Sequence, residues 1–271
     1  MFNDAWLFQA LHMTLAAFVA TGFAVAGVHA LMMLKKKNLI FHRHAFLIAM
    51  VFGSVAAILQ PISGDLSAKD VAKRQPAKLA AMEALFKSET SAPLLIGGIP
   101  DERNQRVNYA IELPGMLSFL VHGNLHDEVK GLDTIPKEDH PPVLVTHLAF
   151  QIMVGIGVLL MLLSLLFFLA FRWKNLLDKR WFLLFFALAT PLGFVAVEAG
   201  WTVTEVGRQP WIIWGIMRTE EAVTPMPGIR YSFYVFTAVY ALLSIIVLFL
   251  LKRQIQAVPR LYASAEEKIE S

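Results

Sequence analysis

Five long apolar segments separated by polar connections dominate the pattern of residues along this chain. Each is close to or longer than the roughly 20 apolar residues with which a helix crosses a bilayer. The pattern therefore predicts an all-α fold, a polytopic membrane helix bundle of five transmembrane helices with a long connection between the second and the third. The predicted spans are Trp6–Leu34, Ala45–Ile62, Val143–Phe171, Trp181–Val203 and Tyr231–Leu251.

Basic residues follow the first, third and fifth of these spans. Short flanks rich in Lys and Arg stay in the cytoplasm, so we expect the N-terminus outside, the C-terminus in the cytoplasm and a multi-pass protein of the inner (plasma) membrane. An odd number of spans agrees with this orientation. The basic residues are Lys35, Lys36, Lys37 and Arg43, then Arg172, Lys174, Lys179 and Arg180, then Lys252 and Arg253.

This topology divides the chain into three regions. Residues 1–62 form a first transmembrane hairpin, residues 63–142 an extracytoplasmic loop, and residues 143–271 a three-helix transmembrane part. A connection as long as the second region is usually functional or disordered. Because it combines a predicted helix at Pro76–Glu83 with Pro and Gly turns and apolar residues, we expect it to be ordered.

The composition supports a membrane protein and narrows its chemistry. Hydrophobic residues make up 56% and charged residues 17%, on the apolar side of soluble domains. The net charge is only +3 and the basic residues lie beside apolar runs, so nucleic acid is not an expected partner. Cysteine is absent, which excludes disulfides, thiolate metal sites and covalent attachment of c-type haem.

Three candidate iron ligands lie within the spans, on three different helices. With a rise of 1.5 Å per residue, His12, Met153 and Glu198 lie about 9, 15 and 8–11 Å from the outer ends of their helices. Imidazole and thioether are a typical axial pair for a low-spin haem. A lone histidine is more often a packing residue and Met often fills gaps, with His147 as a rival ligand. A charge in a span, such as Glu198, is rarely without function.

Several sequence motifs occur in the same order as in a known family. They are His12 with the small residues of Gly22–Gly27, Lys78–Glu83, Phe150–Val154, Val197–Trp201 and Thr204–Trp211. Together they resemble the C-terminal half of subunit I of cytochrome bd-type quinol oxidases, including its quinol-binding loop. The resemblance covers essentially the whole chain.

The resemblance implies a role for five of these residues. His12 and Met153 would be the axial ligands of haem b558, and Glu198 would ligate haem b595 and belong to the catalytic set. Lys78 and Glu83 would form the site for ubiquinol or menaquinol, one holding a quinol oxygen and the other accepting its proton. By itself such a pair of residues would ordinarily be a solvated helix face.

Three further residues are cofactor-binding candidates on the same resemblance. Arg208 would hold a haem propionate or order its turn, because a guanidinium suits carboxylates. Trp201 is either a cofactor contact or an interface anchor. Gln151 stands where the family usually has Arg, and the loss of a cation beside a haem should lower that haem's reduction potential.

The family's subunit I has about nine spanning helices, and this chain resembles the last five. In the family, the first half of subunit I supplies the histidine of haem d. We therefore expect a naturally split subunit, with a partner chain carrying the first four helices, a subunit II-like chain and a shared haem d; a truncated subunit is the alternative. The expected activity is electrogenic oxidation of quinol by dioxygen. The alternatives are a quinol-linked b-haem subunit with another acceptor, and a membrane subunit without enzymatic activity.

Overall fold

The computed structural model describes residues 6–36, 39–172 and 176–270, with side chains apart from those of residues 171 and 254–270. Lys37 and Lys174, two of the predicted flanking residues, lie outside the described residues. The helices of this part are α1 (Trp6–Leu34), α2 (Leu39–Arg74), α3 (Pro76–Met82), α4 (Met116–His122), α5 (Val143–Arg172), α6 (Arg180–Ala189), α7 (Leu192–Val206) and α8 (Ile229–Glu270).

Five helical segments of the described chain are long and apolar enough to cross a membrane, which confirms the predicted all-α class and number of spans. The second differs at its end, because α2 continues to Arg74 instead of ending at Ile62. Its extension is polar and is stabilised by the i,i+4 ion pairs Asp65–Lys69 and Asp70–Arg74. Hydrophobicity marks where a helix can lie in lipid, and not where the helix ends.

The fourth span, Arg180–Val206, consists of two helices with a short interruption between them. The break falls at Thr190 and Pro191, between α6 and α7. Proline has no N–H to donate to the preceding turn, and its ring crowds the backbone there. Thr190 Oγ1 donates a hydrogen bond to the carbonyl of Ala187 (2.6 Å) and thereby satisfies one acceptor at the break.

Helices α1 and α2 form a tight antiparallel hairpin. At their crossing a Cβ on Gly22 would lie 2.6 Å from Gly53 Cα, so only glycine allows the two backbones to approach this closely. Toward one end, His12 faces Ser63 and Phe8 faces Ser67, which continues the same register. Small residues at such crossings are typical of helix packing in membranes.

One half of the bundle is filled by aromatic side chains, and we call it the aromatic half. Five phenylalanines from α1, α2, α5 and α6 are almost fully buried there, with ring centroids 4.8–6.3 Å apart in the pairs that touch. Such spacing is typical of favourable edge-to-face and offset ring pairs. The five are Phe23, Phe46, Phe167, Phe182 and Phe186.

The opposite end, which we call the loop end, is where the connection between α2 and α5 attaches. This connection is ordered and contains α3, α4 and three two-stranded antiparallel sheets. The sheets pair β1 (Glu89–Thr90) with β6 (Glu128–Val129), β2 (Leu94–Ile96) with β5 (Ile111–Leu113), and β3 (Ile99–Asp101) with β4 (Arg106–Asn108). Beyond α7, β7 (Trp211–Ile213) and β8 (Met217–Arg218) form a hairpin.

The chain divides into two compact units, of which the first extends to Ala222 and contains everything described above except α8. The second unit contains α8, a single long helix whose described side chains are all exposed. Its segment Ile229–Arg253 is the fifth candidate span.

Candidate functional site

His12 lies in a small polar cluster between α1 and α2. Ser63 Oγ donates a hydrogen bond to the carbonyl of Gln60 (2.9 Å), so it must accept the bond that joins it to His12 Nδ1 (3.0 Å). The imidazole proton is therefore on Nδ1, and Nε2 keeps its lone pair. Gln60 Nε2 lies 3.2 Å from that nitrogen, and the buried Gln60 Oε1 has no hydrogen-bond partner in the described part of the chain.

The packing register places Met153 at the same level as His12. Gly193 on α7 packs against Ala20 on α1, and following these antiparallel helices two turns toward the loop end brings His12 level with Gly200. A Cβ on Gly200 would lie 2.9 Å from Met153 Sδ. The imidazole Nε2 has a lone pair that iron would take from the Gln60 amide, whose nitrogen lies 3.2 Å away. With the thioether in the same layer it forms a donor set that fits the axial ligands of a haem.

Glu198 lies near this level but on another face of α7. It precedes Gly200 by two residues, so the two positions are about 200° apart around the helix, and the structure does not bring Glu198 to Met153. The carboxylate is exposed and lines an open groove of about 240 Å³ with Trp201, Thr202, Glu205 and Val206. The arrangement thus has two separate candidate ligand positions, one within the bundle and one on its surface.

Helix α3 docks the loop onto the ends of α5 and α7. Lys78 is 8% exposed, and its Cγ lies 3.3 Å from where a Cβ on Gly207 would stand. Burial lowers the pKa of Lys78 to about 8; the cationic Arg208 nearby adds to this effect and Glu205 opposes it. A lysine at this point is therefore close to losing its charge near neutral pH.

Glu83 is the residue just after α3, and its side chain is only 5% exposed. Its Oε2 has no hydrogen-bond partner among the described residues. Burial raises the pKa of Glu83 to about 8. A buried carboxyl group without a protein partner for one oxygen is costly unless it binds something, and its pKa suits proton transfer.

His147 on α5, the rival iron ligand, is fully buried and engaged elsewhere. Its Nδ1 lies 2.8 Å from the carbonyl oxygen of Met82 and its Nε2 lies 3.2 Å from that of Gly97. One turn further along α5, Gln151 Nε2 donates to the carbonyl of Leu95 (2.9 Å) and Gln151 Oε1 accepts from the amide of Gly97 (3.0 Å). Both side chains therefore bind loop backbone.

Arg208 and Trp201 lie near the loop end of α7. Arg208 Nε donates to the carbonyl of Thr204 (3.1 Å), and its guanidinium lies 3.6 Å from the carboxylate of Glu205. Trp201 is 60% exposed. Further along, Arg218 Nη2 binds Asp139 Oδ1 (2.6 Å), which ties the β7–β8 hairpin to the loop.

Comparison with known proteins gives the family. A family model described as cytochrome bd terminal oxidase subunit I matches residues 1–259. The solved structure of a bd oxidase from Geobacillus thermodenitrificans superposes with a TM-score of 0.84 at 35% identity, covering 94% of this chain and 59% of the other. The chain therefore belongs to the cytochrome bd terminal oxidase subunit I family and is a multi-pass membrane protein.

Curated relatives agree with this assignment. The chain is similar to a putative cytochrome bd menaquinol oxidase subunit I of Bacillus subtilis, with 38% identity over 92% of this chain and 57% of the relative. It is also similar to a cytochrome bd ubiquinol oxidase subunit 1 of the same organism, with 33% identity over 90% of this chain and 55% of the relative. The chain thus spans about half the length of the relatives it matches.

Sequence reasoning missed the residues that surround the candidate site. Gln60 is a polar residue within the predicted second span, and Ser63 is the first residue of the predicted loop. The sequence does contain a signal, because two polar residues three apart on the helix that follows α1 can share a face. The contacts of His147 and Gln151 with the loop backbone depend on the fold of the loop, and no sequence pattern predicts them.

Proposed function

We propose that this chain binds and oxidises a quinol at the loop end, as part of an electrogenic quinol:dioxygen oxidoreductase. The observation that supports this most is the burial of two ionisable side chains, Lys78 on α3 and Glu83 just after it. Helix α3 packs against α5 and the end of α7. The names of the relatives mention ubiquinol and menaquinol. Oxidation of a quinol to a quinone releases two protons and two electrons, so the site needs a proton acceptor and an electron acceptor.

Glu83 would accept a quinol proton, and Lys78 would hold a quinol oxygen through its ammonium. The pKa of about 8 for Glu83 lets it take up a proton near neutral pH and release it again. Lys78 keeps its charge up to about the same pH and can donate a hydrogen bond to the quinol. Because the site is buried, both groups would act on the quinol more strongly than they would in water.

Three residues would hold the haems. His12 and Met153 would bind the iron of haem b558, with Ser63 orienting the imidazole, and Glu198 would bind that of haem b595. When bound, such haems supply one-electron acceptors for the quinol electrons. Trp201 lines the same groove as Glu198, and Arg208 lies beside Glu205 of that groove. Both would contact cofactor groups there.

The remaining parts of the proposal concern the assembly and its orientation. The N-terminus would be outside and the C-terminus cytoplasmic, so quinol protons would leave on the outer face and build a proton-motive force. The first four helices of subunit I, the haem d that they help to hold, and a subunit II-like chain would complete the enzyme, whether those helices belong to this polypeptide or to another.

The sharpest test replaces Glu83 by Gln in the assembled complex. The variant keeps the shape of the side chain but cannot accept a proton, and loss of a general base typically costs a hundredfold or more in rate. Oxidation of duroquinol should fall about a hundredfold while the haem content stays unchanged. Glu89→Gln alters an exposed carboxylate of the same loop and is the matched control. Normal turnover of Glu83→Gln would remove the carboxylate from the proposed site.

A further inference from the structure

Two side chains of α5 hold the connection between α2 and α5, which we call the quinol loop, against the transmembrane bundle. His147 and Gln151 are four residues apart and lie on the same face of the helix, so they act on one stretch of loop. His147 faces the carbonyls of Met82 and Gly97, while Gln151 binds the carbonyl of Leu95 and the amide of Gly97. We call these two residues the loop clamp.

The contact to Met82 connects the clamp to the proposed proton acceptor. Met82 ends α3 and is followed directly by Glu83, so the carbonyl that His147 faces belongs to the peptide unit that leads into Glu83. Just beyond Glu83 the chain turns through Ala84, whose φ of 50° is in the left-handed region that residues with a side chain rarely adopt. An anchor on one side of Glu83 and a constrained turn on the other fix the direction of its side chain.

Gln151, the second residue of the loop clamp, binds the end of β2 in the way that a neighbouring strand would. Leu95 and Gly97 lie at the end of β2, whose other edge is paired with β5. The amide of Gln151 donates to one of these residues and accepts from the other, which reproduces the pattern that a neighbouring strand would offer. Gly97 has a φ of +69°, so its backbone leaves the strand direction at the point where the clamp binds it.

From this geometry we infer that His147 and Gln151 are positioning residues for the quinol site, an inference that rests on the proposed function of Lys78 and Glu83. They hold two separate parts of the loop, the end of α3 and the end of β2, at fixed places on one helix. Gln151 is also two residues from Met153, so the same turn of α5 would place the quinol loop and the candidate iron ligand in a fixed relation. Loss of the clamp should therefore weaken quinol binding without removing any group that touches the quinol.

Hydrogen exchange at Gly97 tests the clamp directly, because Gln151 Oε1 is the acceptor for that amide. In the assembled complex, Gln151→Leu removes both hydrogen bonds and should speed exchange of the Gly97 amide about tenfold. Gln151→Glu keeps an acceptor for Gly97 and should preserve most of the protection there. Ile152→Ala, on the exposed side of the same turn, is the control and should leave exchange at Gly97 unchanged.

Kinetics with duroquinol test the functional part. Gln151→Leu should raise KM several-fold with a smaller change in kcat, and Gln151→Glu, which keeps the acceptor for Gly97 but loses the donor to Leu95, should restore part of the loss. His147→Gln, whose amide can still donate to a carbonyl, should give an intermediate KM. A KM in Gln151→Leu equal to that of the unaltered complex, measured on a loop with faster exchange, would overturn the positioning role.

The two levels of proposal fail in different ways. If the unaltered complex does not oxidise duroquinol, the proposed function is wrong, whereas the exchange experiment still decides whether the clamp exists. If Gly97 exchanges equally slowly in Gln151→Leu and the unaltered complex, the clamp is wrong and the test of Glu83 is unaffected. Because the Gln151 variants alter a half-buried position, they remain informative even where a substitution at the fully buried His147 prevents folding.

Discussion

The aromatic half and the loop end of the same helices are built on opposite principles. In the aromatic half, five almost fully buried phenylalanines fill the space between four helices and leave little room for anything else. At the loop end the same helices present an imidazole, amides, hydroxyls and a thioether, and two buried oxygens, those of Gln60 and Glu83, have no hydrogen-bond partner among the described residues.

This difference supports the proposal that one part is a scaffold and the other a ligand-binding part. Buried polar groups without partners are rare because they lose their hydrogen bonds to water. Of the four such side-chain atoms among the described residues, those of Gln60, Glu83 and Trp211 lie at the loop end, where the haem and quinol sites are proposed, and Ser54 Oγ lies beside the Gly22–Gly53 crossing. The aromatic half would then fix the helix positions, and the loop end would use that rigidity to hold chemically reactive groups at fixed distances. Substitutions in the two regions should therefore have effects of different kinds.

The largest effect is expected for His12→Ala. This variant removes the imidazole that would hold the low-spin haem, so the low-spin b signal in a reduced-minus-oxidised spectrum of the purified complex should disappear. His29→Ala removes an imidazole from the same helix, almost five turns away, and is the control. An unaltered low-spin signal in His12→Ala would show that the iron ligand is elsewhere. The polar groups around His12 would then not mark a haem site.

Phe186→Ala tests the scaffold. The ring is fully buried and lies 4.8 Å from Phe182, 5.4 Å from Phe46 and 6.2 Å from Phe23, so its removal leaves a cavity between α1, α2 and α6. We expect a loss of about 3 kcal/mol in the free energy of unfolding, measured by thermal or denaturant unfolding in detergent. The KM for duroquinol of the folded fraction should not change. Phe185→Ala, at a 47% exposed neighbouring position, is the control, and a comparable loss there would contradict the packing argument.

The pH dependence of quinol oxidation should separate Glu83 from Lys78. Glu83 has a pKa raised to about 8 by burial, so its ionised, proton-accepting form increases about tenfold from pH 6 to pH 7 and is half-formed at pH 8. Lys78 has a pKa lowered to about 8, so the charge that would hold the quinol oxygen is lost above that pH. The value of kcat/KM should therefore rise to a maximum near pH 8 and fall beyond it.

Variants assign the two limbs of that profile. Glu83→Gln should remove the rising limb, because no group at that position then has to lose a proton first. Lys78→Arg should extend the high-rate region to higher pH, because a guanidinium stays charged. Lys87→Arg, on an exposed lysine of the same loop, should leave the profile unchanged. A rate that does not vary between pH 6 and pH 8 would contradict the role of Glu83.

Much of the fold could be predicted from the sequence, because its strongest signal is the length of apolar runs. All five spans and the helix at Pro76 were predicted, and α1 was predicted with its observed bounds. The continuation of α2 to Arg74 was not predicted, because hydropathy does not detect a polar helix that is stabilised by ion pairs. The break at Pro191 was also missed, although a proline within a span is a signal for it.

The candidate site was predictable only where a residue type is itself unusual. His12, Met153 and Glu198 stand out because histidine and glutamate are costly in a membrane and because the family motifs contain them. Nothing in the sequence shows that Gly200 is the α7 residue that faces Met153, or that His147 lies against loop carbonyls. Such contacts depend on the folded loop, and long-range packing is not encoded in local patterns.

The smallest effect is expected for Ser63→Ala, which leaves every proposed ligand in place. Ser63 Oγ accepts the hydrogen bond from His12 Nδ1, and partners of this kind orient ligating histidines and are typically worth about tenfold or more in metal affinity. We expect about the lower limit, because the Gln60 amide lies beside the same nitrogen and a rotation of that amide would bring its unpartnered Oε1 to accept from Nδ1. Haem retention during dilution would measure this, with Ser63→Thr restoring it. Equal retention in Ser63→Ala and Ser63→Thr would mean that packing alone orients His12.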